Sequence, residues 1–273
     1  MSSPSVPLSD GTEIPQLGFG VFQIEAEETA DAVTRALDVG YRHVDTAKAY
    51  ENETEVGEAV RAFRDHVYVT TKCFNADHGY DEATAAFDAS FDRLGLDHVD
   101  LYLIHWPVPS QDSYVDTWRA FVDLQKTDRL VSIGVSNFQP AHLDRIIEAT
   151  GVTPVINQVE LHPYLQQPEL RAAHAERGIV TEAWSPLAQG TVLDDPVLEE
   201  IGAAHGKSTG QIVLRWHLQL GNVVIPKSAT PERIAENFEV FDFALSDDDM
   251  KAIEGLDKNE RTGPDPDTYS AGT

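Results

Sequence analysis

The sequence predicts a (β/α)8 barrel, an α/β fold in which strands and helices alternate around one closed core. Short, nearly continuous apolar segments recur along the chain, each followed by a helical pattern, as is typical of parallel strands covered on both faces. The length of 273 residues suits one such barrel, since these folds take about 250 residues. The rival fold, an open doubly wound sheet, is disfavoured because Gly18-Phe19-Gly20 lacks the third glycine of a dinucleotide-binding turn. We therefore expect a single barrel domain over residues 1–273.

The eight strands and the helices between them can be placed in order along the chain. The predicted strands are residues 16–20, 43–45, 67–71, 99–105, 132–135, 155–159, 179–183 and 223–225. The predicted amphipathic helices include residues 26–39, 54–64, 81–94, 115–125, 141–149 and 169–177. Helix starts are indicated by Asp81, Ser208 and Ser246, and helix ends by Gly40, Gly95, Gly178 and Gly221.

Additional elements extend the predicted barrel. Residues 7–14 are typical of a β-hairpin that turns at Asp10-Gly11, and we expect it to cover the bottom of the barrel. Two helices, over residues 196–204 and 209–220, are predicted between the seventh and eighth strands. An extra helix over residues 246–256 follows the last barrel helix, and residues 257–273 form an irregular Gly/Pro/Asp-rich tail.

The composition is strongly acidic, with 46 acidic against 20 basic residues and a formal net charge of −26. Nucleic acids and anionic membrane surfaces are poor partners for such a chain. The basic residues comprise only 7 Lys beside 13 Arg, and the acid is spread along the whole sequence. An ordinary soluble acidic protein could have this composition, but we favour adaptation to molar salt, in which a carboxylate-rich surface is screened.

The remaining composition points to a cytoplasmic protein. The one cysteine cannot form an internal disulfide, which fits a reducing compartment. No apolar run approaches the length of a membrane span, and the first residues, Met1-Ser-Ser-Pro-Ser5, lack the features of a signal peptide. With no exposed heptad or edge strand evident, we expect a monomer.

Four titratable residues are predicted at one end of the barrel. Asp45, Lys72 and His105 end predicted strands, and Tyr50 lies in the loop after the second strand. In barrels of this kind, catalytic groups lie at the carboxyl ends of strands. Each residue alone could be structural. Together they could act as an acid: the ammonium of Lys72 would lower the pKa of Tyr50, Asp45 would hold the lysine, and His105 would orient a carbonyl oxygen.

Several long motifs make the chain resemble a known superfamily. The two longest are residues 40–57, GYRHVDTAKAYENETEVG, and residues 225–237, IPKSATPERIAEN. Between them lie shorter motifs at residues 69–72, 103–107, 133–138, 157–160 and 182–187. In these motifs and their order the chain resembles the aldo-keto reductase superfamily, in particular the prokaryotic branch that includes 2,5-diketo-D-gluconate reductases.

This resemblance implies roles for individual residues. Tyr50 would be the general acid in carbonyl reduction, assisted by Lys72, Asp45 and His105. The implied NADPH contacts are Ser136, Asn137 and Gln158 to the carboxamide, Trp184 to the nicotinamide face, Ser185, Leu187 and Gly190 to the pyrophosphate, Lys227, Ser228 and Arg233 to the 2′-phosphate, and Glu236 and Asn237 to the adenine. A dianionic phosphate suits a lysine and an arginine fork. A surface ion pair between Arg233 and Glu236 on one helix is the structural alternative.

The substrate pocket and its ligand are less defined. We expect Phe22, Trp106 and Tyr114 to line it, and the short tail to leave it roomy. No metal site is predicted, because the histidines show no metal-ligand spacing. The main hypothesis is an NADPH-dependent reductase of small aldehydes, ketones or diketo sugar acids. The alternatives are a non-catalytic nicotinamide-binding module of the same fold, and an isomerase or aldolase that uses Lys72 as a Schiff base.

Overall fold

A computed structural model describes residues 3–272 and shows eight parallel strands closed into a barrel. The barrel strands are β3 (Phe19–Gly20), β4 (His43–Asp45), β5 (Tyr68–Cys73), β6 (Val99–Ile104), β7 (Leu130–Ser136), β8 (Ile156–Glu160), β9 (Val180–Trp184) and β10 (Val223–Val224). They pair in sequence order, and parallel bridges from Leu17 to Val224 and from Gly20 to Lys227 join the last strand to the first. The predicted (β/α)8 barrel is confirmed. Met1, Ser2 and Thr273 lie outside the described residues. The first two belong to the segment for which the sequence predicts no signal peptide.

Ten α-helices surround the strands within residues 3–272. They are α1 (Ala26–Val39), α2 (Glu53–Val60), α3 (Tyr80–Leu94), α4 (Tyr114–Leu124), α5 (Pro140–Thr150), α6 (Pro168–Glu176), α7 (Pro196–His205), α8 (Thr209–Gln219), α9 (Pro231–Phe238) and α10 (Asp247–Glu254). Short 3-10 helices cover Lys48–Tyr50, Arg61–His66, Asn75–Asp77 and Ala188–Gly190. The two helices predicted between the seventh and eighth barrel strands, and the extra helix after the last, are confirmed. No helix among the described residues has the length and apolar character that crossing a membrane requires.

Local sequence accounts for most helix boundaries. Ser208 and Ser246 cap α8 and α10, each accepting a hydrogen bond from a backbone N–H one turn later, as predicted. Gly40 and Gly95 end α1 and α3 at φ values of 131° and 59°, where residues with a Cβ are strained. The predicted start at Asp81 is wrong, because α3 begins at Tyr80 after Gly79.

An N-terminal hairpin closes one end of the barrel. Its strands, β1 (Ser5–Pro7) and β2 (Glu13–Pro15), pair antiparallel, and Leu8 and Ile14 pack against Leu101 and Ile156 inside the barrel. This confirms the predicted cover of the barrel bottom. The larger core fills the space between the sheet and the helices. Apolar side chains thus occupy the bottom of the interior, and the carboxyl ends of the strands lie at the opposite end of the barrel, where such folds place their active sites.

Candidate active site

The four predicted titratable residues meet at the carboxyl ends of the strands. Nζ of Lys72, on β5, donates to Oδ1 of Asp45, on β4, at 2.6 Å and to the hydroxyl of Tyr50 at 3.3 Å. Its third hydrogen bond, at 3.0 Å, goes to the backbone oxygen of Thr46. The ring of His105, just after β6, lies 5.8 Å from the Tyr50 ring, centroid to centroid. The side chains of Lys72 and Asp45 are buried, with 0% and 2% of their surface exposed.

Burial and the Lys72–Asp45 pair determine the protonation of the cluster. Burial opposes the charge on Lys72, but the Asp45 carboxylate and the Tyr50 hydroxyl raise the pKa of Lys72 above its usual value. Burial lowers the pKa of His105 well below its usual value, and the charge of Lys72 acts in the same direction. The site therefore contains a charged lysine and a neutral imidazole at neutral pH.

The pKa of Tyr50 differs from the sequence-based expectation. Burial raises this pKa, and although the charge of Lys72 lowers it, burial is the larger cause. Lys72 therefore lowers this pKa, as expected, but the loss of hydration on burial outweighs it and the net pKa is raised. Tyr50 remains a protonated phenol at neutral pH, which is the state that a proton donor requires.

The loop that carries Tyr50 is fixed by a buried asparagine. Nδ2 of Asn52 donates to the backbone oxygens of Val21 and Ile24, at 3.1 and 3.3 Å. Oδ1 of Asn52 accepts the hydroxyl of Thr46 at 2.8 Å. These contacts join the loop after β4 to the segment after β3. They fix the backbone that carries Tyr50 and so hold its hydroxyl beside Lys72.

A cavity of about 410 Å³ opens above the cluster. It is lined by Gly20, Phe22, Gln23, Asp45, Ala49, Tyr50, Phe74, His105, Trp106, Ser136, Asn137, Gln158, Trp184, Ser185, Pro186, Gln189, Ile225, Lys227, Thr262, Gly263, Pro264 and Tyr269. Phe22 and Trp106 thus lie where the sequence predicted. Tyr114 does not: it begins α4, where it is buried against Phe138 and His142, with ring centroids 5.5 and 5.6 Å away. The ring therefore lies in the helix layer, outside the cavity.

Amide and hydroxyl groups from β7 and β8 form one wall of the cavity. Oδ1 of Asn137 accepts the indole N–H of Trp184 at 2.9 Å, and its Nδ2 donates to the backbone oxygen of His105 at 3.0 Å. The hydroxyl of Ser136 donates to the backbone oxygen of Gln158 at 2.8 Å. The indole of Trp184 is therefore held in one orientation by Asn137.

The loop after β9 continues the cavity away from Tyr50. Ser185, Ala188 and Gln189 have φ values of 48°, 48° and 53°, a left-handed conformation that is strained for residues with a Cβ. Strain of this kind concentrates at functional sites. Gly210, near the start of α8, lies between this loop and α9. A Cβ at Gly210 would come within 4.0 Å of Leu187 in the loop and within 3.9 Å of Asn237 in α9, so the two segments approach each other there.

Two cations lie at the far end of this path. Lys227 lines the cavity, and Arg233 is exposed on the first turn of α9. Neither has an ion-pair partner within the described part of the chain, although the net charge is −26. The alternative ion pair between Arg233 and Glu236 is not formed. Ser228, between them, bonds to the backbone N–H of Thr230 at 3.1 Å.

The C-terminal tail forms a wall of the cavity that the sequence did not predict. The carboxylate of Glu160, at the end of β8, accepts the backbone N–H and the hydroxyl of Thr262 at 2.5 and 2.6 Å, and the N–H of Gly263 at 3.2 Å. The ring of Tyr269 packs on Trp106 at 4.4 Å. The short tail therefore does not leave the cavity unlined, because it folds over one side of the barrel mouth.

The sequence held a signal that Glu160 faces the site and needs hydrogen-bond donors, but none that the tail supplies them. Gln158 and Glu160 are two residues apart on one strand, so their side chains share a face. Since Gln158 is predicted to face the site, Glu160 must face it too. A carboxylate buried there requires donors, and the tail supplies them.

The fold and the site together define a (β/α)8 barrel with a polar cluster and a cavity at the carboxyl ends of its strands. The chain belongs to the aldo/keto reductase family, whose model matches residues 16–258. It is 56% identical over 271 residues to an aldo-keto reductase of Mycolicibacterium smegmatis, covering 98% of both chains. It is 51% identical over 275 residues to the methylglyoxal reductase DkgA of Escherichia coli K12, covering 98% of this chain and 99% of that one. A mutant of Gox0644 solved in complex with NADPH superposes with a TM-score of 0.96 at 47% identity, covering 99% and 100% of the two chains.

Proposed function

We propose that this protein is an NADPH-dependent reductase of small aldehydes and ketones in which Tyr50 is the proton donor. The observation that carries this proposal is the hydrogen-bonded chain from Asp45 through Lys72 to the hydroxyl of Tyr50, which opens into the cavity beside the neutral His105. A protonated phenol next to a fixed ammonium can release its proton to an oxygen that gains negative charge. Methylglyoxal, the substrate named for one relative, belongs to this carbonyl class.

The residues present fit a bound NADPH. The half-exposed ring of Trp184 offers an apolar face in the cavity, and Asn137 and Gln158 place amide groups beside it. Lys227 and Arg233, at the other end of the path, are exposed and free to meet a dianionic phosphate. In a chain with only 7 Lys, this pair of cations supports NADPH over NADH.

Each residue then has a defined part in reduction. NADPH, when bound, supplies the hydride that reaches the carbonyl carbon. Tyr50 donates its proton to the carbonyl oxygen as negative charge develops there, and the ammonium of Lys72, held by Asp45, stabilises the resulting phenolate. Neutral His105 fixes the carbonyl oxygen by a hydrogen bond from its ring. Phe22 and Trp106 line the cavity and offer apolar surface to a bound substrate.

The test is Tyr50→Phe, which removes the donated proton and keeps the ring. With methylglyoxal as substrate we expect the turnover of NADPH to fall by a factor of about 10² to 10⁴, the range for general acid catalysis. The NADPH dissociation constant should stay close to that of the wild type. Tyr80→Phe is the matched control, since within residues 3–272 the Tyr80 hydroxyl bonds only to Asp123, at 2.7 Å on the surface.

Three outcomes would contradict the proposal. Retained turnover in Tyr50→Phe would exclude Tyr50 as the donor. NADPH binding with no turnover by the wild type on a panel of aldehydes and ketones would favour the non-catalytic module. Covalent trapping of a carbonyl substrate on Lys72 by borohydride would favour the Schiff-base mechanism instead.

A further inference from the structure

A second carboxyl group, Glu182, lies buried beneath the proton-donor cluster. It is on β9 directly beside Gln158 of β8, its side chain is fully buried, and it faces the barrel interior. A single amide nitrogen joins it to the cluster: Nε2 of Gln158 donates to Oδ2 of Asp45 at 2.8 Å and to Oε2 of Glu182 at 2.9 Å. Glu182 is thus connected to Tyr50 through Gln158, Asp45 and Lys72.

The interior contains more carboxyl groups than cations at this point. Nζ of Lys72 directs its three hydrogen bonds to Asp45, Thr46 and Tyr50, so it has none for Glu182. His43 lies 3.8 Å from Oε1 of Glu182, but burial lowers the pKa of His43 to about 4, and it is neutral. Two ionised carboxylates facing one ammonium in a buried space are strongly unfavourable.

Protonation of Glu182 would relieve this imbalance. Burial, and next the charge of Asp45, raise the pKa of Glu182 to about 8. Oε2 accepts from Gln158, and no protein donor within residues 3–272 bonds to Oε1, which leaves Oε1 free to carry a proton. The titratable groups facing Glu182 are His43 and Asp45 on β4, Tyr68 and Lys72 on β5, and Tyr50.

We propose that Glu182 is a positioning residue for proton donation. As a neutral acid it accepts a hydrogen bond from the Gln158 amide, which keeps that amide bonded to Asp45, and it does not compete with Asp45 and Tyr50 for the positive charge of Lys72. Ionisation of Glu182 suppresses reduction. This inference rests on the proposed function of Tyr50 as the donor. A negative charge on Glu182 raises the pKa of Tyr50, which makes the phenol a weaker acid. It also draws the Lys72 charge away from the phenolate that reduction must form.

The sign of the pH dependence follows directly. With a pKa of about 8, Glu182 is about nine tenths neutral at pH 7 and about nine tenths ionised at pH 9. Burial raises the pKa of Tyr68 and of Tyr50, and the pKa of His43 is about 4, so these groups do not titrate between pH 7 and 9. Reduction at saturating NADPH and substrate should therefore fall by roughly tenfold across this interval.

The experiment compares the wild type with Glu182→Gln. Glutamine keeps an oxygen that accepts from Gln158 but cannot ionise, so we expect kcat near the wild-type value at pH 7 and little decline at pH 9. Glu53→Gln is the control: Glu53 is also buried, but it pairs with Arg93 at 2.6 Å outside the cluster, and its pH profile should follow the wild type. Superimposed profiles of the wild type and Glu182→Gln would overturn the proposal.

A readout on the cofactor-free protein keeps the proposal falsifiable if Glu182→Gln does not fold. In wild-type protein with isotope-labelled glutamate, infrared spectra should show the carbonyl stretch of one protonated carboxylic acid at pH 7, which disappears with a midpoint near pH 8. Absence of that band at pH 7 would overturn the proposal. The band does not depend on Tyr50, so retained turnover in Tyr50→Phe would refute the donor assignment separately.

Discussion

Replacing Asp45 with asparagine tests the central ion pair. The carboxylate of Asp45 lies 2.6 Å from Nζ of Lys72, and both side chains are almost fully buried. Breaking a buried pair by removing one partner costs about 3–5 kcal/mol, because the other charge is left uncompensated. Asparagine retains an oxygen that can accept from Lys72, so we expect the low end, about 3 kcal/mol. At this chain length that corresponds to a loss of roughly 6–12 °C in the thermal midpoint.

The same substitution should change the chemistry of the site. Burial is the largest influence on Lys72 and lowers its pKa, and Asp45 is the largest influence that raises it. Without Asp45, the pKa of Lys72 falls, the ammonium is lost at lower pH, and Tyr50 loses the charge that stabilises its phenolate. Turnover of NADPH with methylglyoxal should therefore fall together with stability. The pKa of Glu182 should also fall below about 8, because the charge of Asp45 helps to raise it.

The matched control is Asp116→Asn. Asp116 lies 2.6 Å from Arg119, the same separation, but the two side chains are 57% and 50% exposed. Exposed pairs contribute about 0–1 kcal/mol, so this variant should melt close to the wild type. The assay is thermal unfolding of both variants in the same buffer, followed by circular dichroism. Equal midpoints for Asp45→Asn and Asp116→Asn would refute the reasoning from burial.

Three further predictions concern the cofactor, the tail and the surface. Arg233→Ala should weaken NADPH binding by about ten- to a hundredfold, which corresponds to a charge-assisted contact of roughly 1.5–3 kcal/mol, and should leave NADH binding nearly unchanged. Equal losses of affinity for the two cofactors in fluorescence titrations would show that Arg233 does not contact the 2′-phosphate. Glu160→Ala removes the acceptor of the Thr262 and Gly263 N–H groups, so limited proteolysis should cut residues 261–272 faster than in the wild type, and equal rates would argue against this anchor. The thermal midpoint of the cofactor-free protein should rise with KCl concentration. The Debye length falls from about 10 Å at 0.1 M to about 3 Å at 1 M, so salt screens the repulsion within a chain of net charge −26. A flat or falling midpoint would remove the argument for a high-salt habitat.

Residues at strand ends were the most predictable part of the site. Asp45, Lys72 and His105 follow apolar segments, and the carboxyl ends of parallel barrel strands meet on one face. Their convergence therefore follows from local pattern and fold class alone. Tyr114 illustrates the limit, because the start of a helix gives no indication of which layer an aromatic ring will face. The ring packs on Phe138 and His142, away from the cavity.

The sequence by itself determined the order of strands and helices, the caps at Ser208 and Ser246, and the strand-end residues Asp45, Lys72 and His105, since all of these depend on neighbours in the chain. Only the tertiary structure decided the protonation of the site. The pKa values of Tyr50 and Glu182 are raised mainly by burial, and burial depends on residues brought together from distant segments. The same holds for the tail, which reaches Glu160 from 102 positions away. Desolvation and long-range hydrogen bonds have no local sequence signature, whereas periodicity and capping do.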